Sequence, residues 1–262
     1  ALLYTDLSWH LLRQGDPNTA YEYANKSAQL SENNANTFLM SIISALLHKQ
    51  DVLKDYLPKY LNEEIQDCRQ MLPLLGSVES DSYLLNGDHI LYRMPEIVSW
   101  NPLDSICLTT AYDATLLSKG IVLQISSITP YIKNNEELNS TYNDLLSCRD
   151  SIVSIEEESL RSQLAFQYET QERALRSLFI DDIDRSMSMS WKDIQKALSV
   201  DEVAIEIVGY QANNWVWSRD SIYVCYDALI VDKSNDTPIY INLIRQDDIV
   251  SVFDNQPQSY SA

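Results

Sequence analysis

Glycine is scarce in this chain: five residues, Gly15, Gly76, Gly87, Gly120 and Gly209, among 262. That scarcity argues against a glycine-rich phosphate loop and favours long helices joined by few tight turns. Basic residues are also few. Nineteen Lys and Arg stand against 38 Asp and Glu, a net charge of −19 at pH 7. An acidic surplus of that size repels phosphate backbones and anionic headgroups, so neither nucleic acid nor a membrane surface is expected as a direct partner. No run of about twenty apolar residues is available for a transmembrane span, and no basic-then-apolar leader opens the sequence. The first residue is Ala1 and not Met, which leaves a preceding segment open. Cys68, Cys107, Cys148 and Cys225 lie far apart inside apolar patterns. They read as buried reduced thiols and not as bridges, in keeping with a cytoplasmic protein. No Walker-type loop, HExxH, CxxC or GxSxG occurs, so no cofactor site and no metal site is assigned. Asp182 and Asp184 read as a solvated loop or cap, since no second ligand cluster accompanies them.

What the chain does have is helical periodicity, then strand alternation. The first segment, 1–72, opens with a helical hairpin. Leu3, Leu7, Leu11 and Leu12 form an apolar face, Gly15-Asp16-Pro17 stops the helix, and Ala20, Tyr23, Ala24, Ser27 and Ala28 carry the second helix. This hairpin resembles one tetratricopeptide repeat in Tyr4, Leu7, Ser8, Leu11, Gly15, Ala20, Ala24 and Ser27, although Glu32 stands where the repeat closes on Pro. A lone repeat does not bury its own face and needs neighbours. Residues 36–72 offer a degenerate second pair, with Pro58 expected to kink or split its later helix. In the second segment, 73–189, Pro and Gly punctuate 73–101, a helix is expected over Ser80–Tyr92, and another over 103–124. Small residues in AYDATLLSKG give that second helix a tight contact. Two long helices, about 135–154 and 156–180, form a hairpin.

The third segment, 190–262, begins at the stretch on which the architecture turns, Trp191 to Tyr210. Ser190 is an N-cap, with Asp193 reaching back to it. Trp191, Ile194 and Leu198 share one helical face. Val203, Ile205 and Ile207 then alternate with Ala204, Glu206 and Val208, which predicts a half-buried strand with Glu206 on its solvent side. Gly209 marks a bulge or the strand end. Ile222–Val231 and Ile239–Ile244 complete a three-stranded meander. Trp215 and Trp217, in the loop between the first two strands, read as a hairpin loop or a cover for the core.

Together, the helix with AYDATLLSKGIVL, the long helices, WKDIQKAL, EVAIEIVGY, YDALIV and PIYINLI resemble tetratricopeptide-repeat proteins with a C-terminal CHAT domain, which is similar to caspases and separases. The resemblance implies a mainly α chain, with tetratricopeptide-like repeats and a long helical hairpin, followed by a small partial α/β caspase-like module of about three strands. It also implies that a Cys–His pair would lie beyond these first strands. Here His10, His48 and His89 all fall in the helical part and none precedes Gly. No catalytic residue is therefore assigned. The expected role is partner binding and regulation within a CHAT-family cysteine protease, in a fragment that is itself inactive. The alternative is a protein–protein interaction scaffold with a degenerate caspase-like module. The expected partner is a protein or peptide on the helical repeats, and an open sheet edge invites pairing of two copies.

Overall fold

The computed structural model describes residues 1–71, 90–133, 136–155, 157–177, 188–212 and 223–249. Helices α1 (Leu2–Arg13), α2 (Pro17–Leu30), α3 (Asn34–Leu46) and α4 (Gln50–Met71) run in succession. Then come α5 (Ile90–Trp100), α6 (Ser105–Lys133), α7 (Glu136–Ser154), α8 (Glu158–Ser177) and the short α9 (Trp191–Ala197). Strands β1 (Val203–Ala212), β2 (Tyr223–Asp232) and β3 (Ile239–Arg245) follow. The chain is thus mainly helical, with a small antiparallel sheet near its C-terminal end, as the periodicities predict. It divides into two compact units. One comprises Ala1–Glu64, Ile90–Thr115 and Ser190–Ala262, the other Ile65–His89 and Leu116–Met189. The sequence segments bounded at 72 and 189 are continuous stretches of chain, whereas each of these units gathers separate stretches.

In the first unit, α1 and α2 are joined by a tight turn. Gly15 sits at φ 82°, a left-handed conformation that glycine adopts without steric cost. Asp16 then caps α2, its carboxylate accepting the Thr19 N–H at 3.1 Å, with Pro17 in the first turn. The side chains facing inward from α1 match the leucine row read from the sequence only in part, Leu12 being buried and Leu7 and Leu11 half-buried. Leu3 is exposed, and the buried stripe is Thr5, Ser8 and Leu12. Small residues let the two backbones approach, and their hydroxyls must then find partners. Ser8 Oγ donates to the Ala20 carbonyl at 2.7 Å, and Thr5 Oγ1 lies 2.8 Å from both Ser27 Oγ and Asn36 Oδ1, tying three helices together.

Helix α3 is the centre of this unit, buried from Asn36 to Ala45. Just beyond its end the chain turns at His48, a non-glycine residue at φ 52°. There the Lys49 N–H returns to the Ser44 carbonyl at 2.8 Å and closes the last turn. Asn101, just past α5, accepts the His48 Nδ1–H on its Oδ1 at 2.9 Å and donates through Nδ2 to the Ala45 carbonyl at 3.1 Å. Of the two expected outcomes at Pro58, a kink or a split, the split does not occur, and α4 runs on through it. Burial of Leu53 and Leu57 before it and of Tyr60 and Leu61 after it holds the turns in one helix. Pro95 likewise lies inside α5, whose Met94, Ile97 and Val98 are buried. Most of the expected helix over Ser80–Tyr92 lies outside the described residues, and α6 runs on past 124 to Lys133.

The sheet is a meander in the order β1-β2-β3, antiparallel throughout. Both outer strands keep one open edge among the described residues. The expected polarity of β1 is reversed. Val203, Ile205 and Ile207 are exposed, whereas Val208 and Tyr210 are buried and Ala204 and Glu206 are half-buried. The inward row packs towards α5 and α6, so Glu206 lies on the helix-facing side and not in open solvent. Nor does Gly209 end the strand. It pairs with Tyr226, and a Cβ there would lie 3.2 Å from the Tyr226 ring, so the glycine makes room for that ring. Between Tyr226 and Asp227 the β2–β3 register shifts, a bulge that redirects the end of β3.

The second unit contains the hairpin α7–α8. Its small core is Leu145 and Leu175, flanked by the half-buried Tyr142 and Tyr168. Phe166 on α8 is exposed.

Candidate functional site

The inner face of the sheet is apolar where Leu229 and Val231 lie, but turns polar at the far end of β2. There Asp227, fully buried, stands opposite Val208. Its carboxylate accepts the Tyr240 hydroxyl at 2.5 Å and Asn242 Nδ2 at 2.8 Å, and Tyr210 is hydrogen-bonded to it as well. A buried carboxylate survives only with donors of this kind. Each partner comes from a neighbouring strand at the adjoining inward position, so the antiparallel register assembles the cluster. Burial first, and then Asp227, pushes both Tyr210 and Tyr240 upward, and both keep their protons.

Beside the cluster opens a cavity of about 600 Å³ between the end of α5 and the sheet, walled by Trp100, Tyr210, Tyr223 and Tyr240. Glu96 and Arg245 bring opposite charges to its lining. Arg245 lies over the Tyr223 ring at 4.3 Å, and Glu96 is ion-paired with Arg93 at 3.6 Å. Cys225 also lines the cavity. Burial, reinforced by Asp227, raises its thiol, against the opposing pull of Tyr210 and Arg245. The cavity can therefore hold a polar group, but its thiol is poorly disposed to act as a nucleophile.

A second junction joins the sheet to the helices. Ser190 donates through its N–H and its hydroxyl to Asp193, at 3.1 Å and 2.6 Å, forming the expected cap of α9. Trp191 is buried, with the Lys192 ammonium 3.8 Å from its ring centroid. Its N–H donates to Asp113 Oδ1 on α6 at 2.6 Å. Burial lifts the Asp113 carboxyl to about 6, the Trp191 bond only partly opposing that rise. On the same helix Tyr112, fully buried, is raised to about 12 by burial and by Glu206. Gln195 Nε2 donates to the carbonyls of Asp232 and Asn235 at 2.9 Å and 2.6 Å, fixing α9 on the β2–β3 turn.

None of the four cysteines is in a disulfide; Cys68, Cys107 and Cys225 are buried and Cys148 is half-buried. Burial, then Asp104, raises the Cys107 thiol. His10 pairs with Gln14 at 2.9 Å and His48 with Asn101. His89, Asp182, Asp184, Trp215 and Trp217 lie outside the described residues. Among the described residues, no group of three His, Cys, Asp or Glu is placed to hold a metal ion, and no helix is long and apolar enough to cross a membrane. Sequence reading missed the cavity and Asp227. The signal available was a lone charged residue in the otherwise apolar run of β2.

Comparison with protein-family models, with curated proteins and with solved structures gives no significant match.

Proposed function

We propose that this chain is the partner-binding, regulatory helical region of a CHAT-family caspase-like cysteine protease, carrying the first strands of the protease module and not itself hydrolytic. The observation that carries the reading is the packing of α1 on α2. Gly15 turns the chain, Ser8 meets the Ala20 carbonyl, and Ala20, Ala24 and Ser27 are buried, with α3 stacked on the pair. This is the way tetratricopeptide-like helices approach one another, and stacked helical pairs offer an extended surface to a protein or peptide. A cytoplasmic location goes with the reading, as do four cysteines that form no disulfide. The scaffold reading is favoured by one observation, the raised thiol of Cys225 in the polar cavity.

Two measurements test the proposal. An immobilised peptide library probed with the purified chain is expected to yield ligands that share a motif and bind competitively. Tyr4→Ala with Tyr23→Ala, which removes the ring pair 5.9 Å apart on α1 and α2, should weaken that binding. The coding sequence after Ala262 then separates the readings. A strand followed by His-Gly and a later strand followed by Cys support the protease; their absence leaves the scaffold. No bound peptide at all overturns both.

A further inference from the structure

The outer face of the sheet is apolar and, among the described residues, uncovered. Val203, Ile205 and Ile207 on β1 are 56%, 53% and 49% exposed, and Ile239, Ile241 and Ile244 on β3 are 39%, 42% and 37% exposed. The register places Ile205, Ile230 and Ile239 in one row across the strands, then Ile207, Ala228 and Ile241, then Gly209, Tyr226 and Ile244. No charged side chain enters these three rows. A sheet normally shows one such face to a core and gives polar residues to water. Here the inward face holds Glu206 and Asp227 beside Val208, Leu229 and Val231, and the isoleucines of β1 and β3 lie outside. A contiguous apolar patch of this kind marks an interaction surface.

The ends of the face carry charge. Asp201 and Glu202 precede β1, and Asp236 lies in the β2–β3 turn at the same end. Asp247 and Asp248 follow β3 at the other. The nearby cations are engaged. Lys233 donates to the carbonyls of Gln195 and Lys196, and Arg245 lies over Tyr223. Two copies meeting face to face would bring acidic ends together in either orientation, on chains of net charge −19. Three strands span roughly 10 Å across, the diameter of one helix with its side chains.

We infer that this face is a docking surface for an amphipathic helix of another protein, aliphatic on one side and with Lys or Arg near both ends. The aliphatic side covers the isoleucine rows, and the basic ends meet Asp201, Glu202 and Asp236 at one margin and Asp247 and Asp248 at the other. This surface is distinct from the helical pairs of the proposed function and does not depend on that function.

The test uses the full chain and a synthetic Leu/Lys peptide of about 14 residues, long enough for four helical turns. Its leucines recur at helical spacing. A scrambled peptide keeps the charge and loses the apolar side. The helical peptide is expected to bind, with affinity falling as salt rises, and the scrambled one to bind at least about tenfold more weakly. Ile205→Thr with Ile241→Thr should weaken binding about tenfold or more while preserving strand propensity. Ile239→Thr with Ile241→Thr repeats the test from β3 alone, and Leu103→Gln, at an exposed leucine away from the face, should leave binding unchanged. Equal binding of the two peptides, or unchanged binding by both double variants, overturns the inference. So does sedimentation of the wild-type chain as a dimer that the threonine variants dissolve, since the face would then belong to a second copy.

Discussion

Replacing Asp113 by Asn should make the protein more stable at neutral pH, although it removes a charge that accepts a short hydrogen bond. The carboxyl is half-buried and its pKa is lifted from an ordinary 3.8 to about 6, with burial outweighing the bond from Trp191. At about 1.4 kcal/mol per pH unit, that rise disfavours the charged folded form by about 3 kcal/mol. Residual solvation of this half-buried group trims the figure to about 2 kcal/mol. A raised acid stabilises the fold below its unfolded value of 3.8, and that contribution is lost as pH climbs through about 6. The Asn amide oxygen still accepts the Trp191 N–H, so the variant keeps the bond without the charge. Urea titrations of both proteins across about pH 4 to 7.5 should show Asn ahead by about 2 kcal/mol at the top and level with wild type at the bottom. Taking the difference cancels carboxylates held low by their hydrogen bonds, such as Asp16 and Asp232. An Asn variant less stable than wild type at neutral pH would refute the reasoning. It would mean that the charge-assisted bond to Trp191 outweighs desolvation.

Truncating Trp191 to Ala should cost about 3–5 kcal/mol, seen as a lowered thermal midpoint; an unchanged melt would remove the ring from the junction it fills. At position 48, Gly should be more stable than Ala by about 1 kcal/mol in denaturant, because both lose the bond to Asn101 and only Gly relieves the left-handed backbone. Equal midpoints would count against that strain. Tyr240→Phe strips a donor from buried Asp227 and should cost about 1–3 kcal/mol, read in the same titration, whereas a neutral effect would mean the carboxylate does not need the hydroxyl.

Much of the fold was legible in the sequence where local chemistry decides it. The Gly15-Asp16-Pro17 turn, the cap of α9 by Ser190 and Asp193, and the alternation in β1 each follow from residues a few positions apart. Alternation gives two rows, however, and not which row meets the helices. Hydrophobicity argued for the isoleucines, and tertiary packing set Val208, Tyr210 and Glu206 inward instead. The polar stripe of Thr5 and Ser8 escaped for a similar reason, since a hydroxyl is buried only when a specific partner awaits it. Pro58 and Pro95 lie inside helices because burial on either side outweighs a local penalty that pattern alone overstates. The cavity was hidden because α5 and three strands, far apart in sequence, build it together.

The first unit is stitched from stretches that the ribosome delivers at very different times. Asp113 must wait 78 residues for the Trp191 N–H that it accepts. Until β1 to β3 emerge, the side of α5 that will receive the sheet has nothing to lie against. The nascent chain therefore carries an apolar, adhesive surface from the completion of α5 until β3 is made, and its yield in a cell should depend on holdase chaperones more than that of a solenoid whose repeats close one after another.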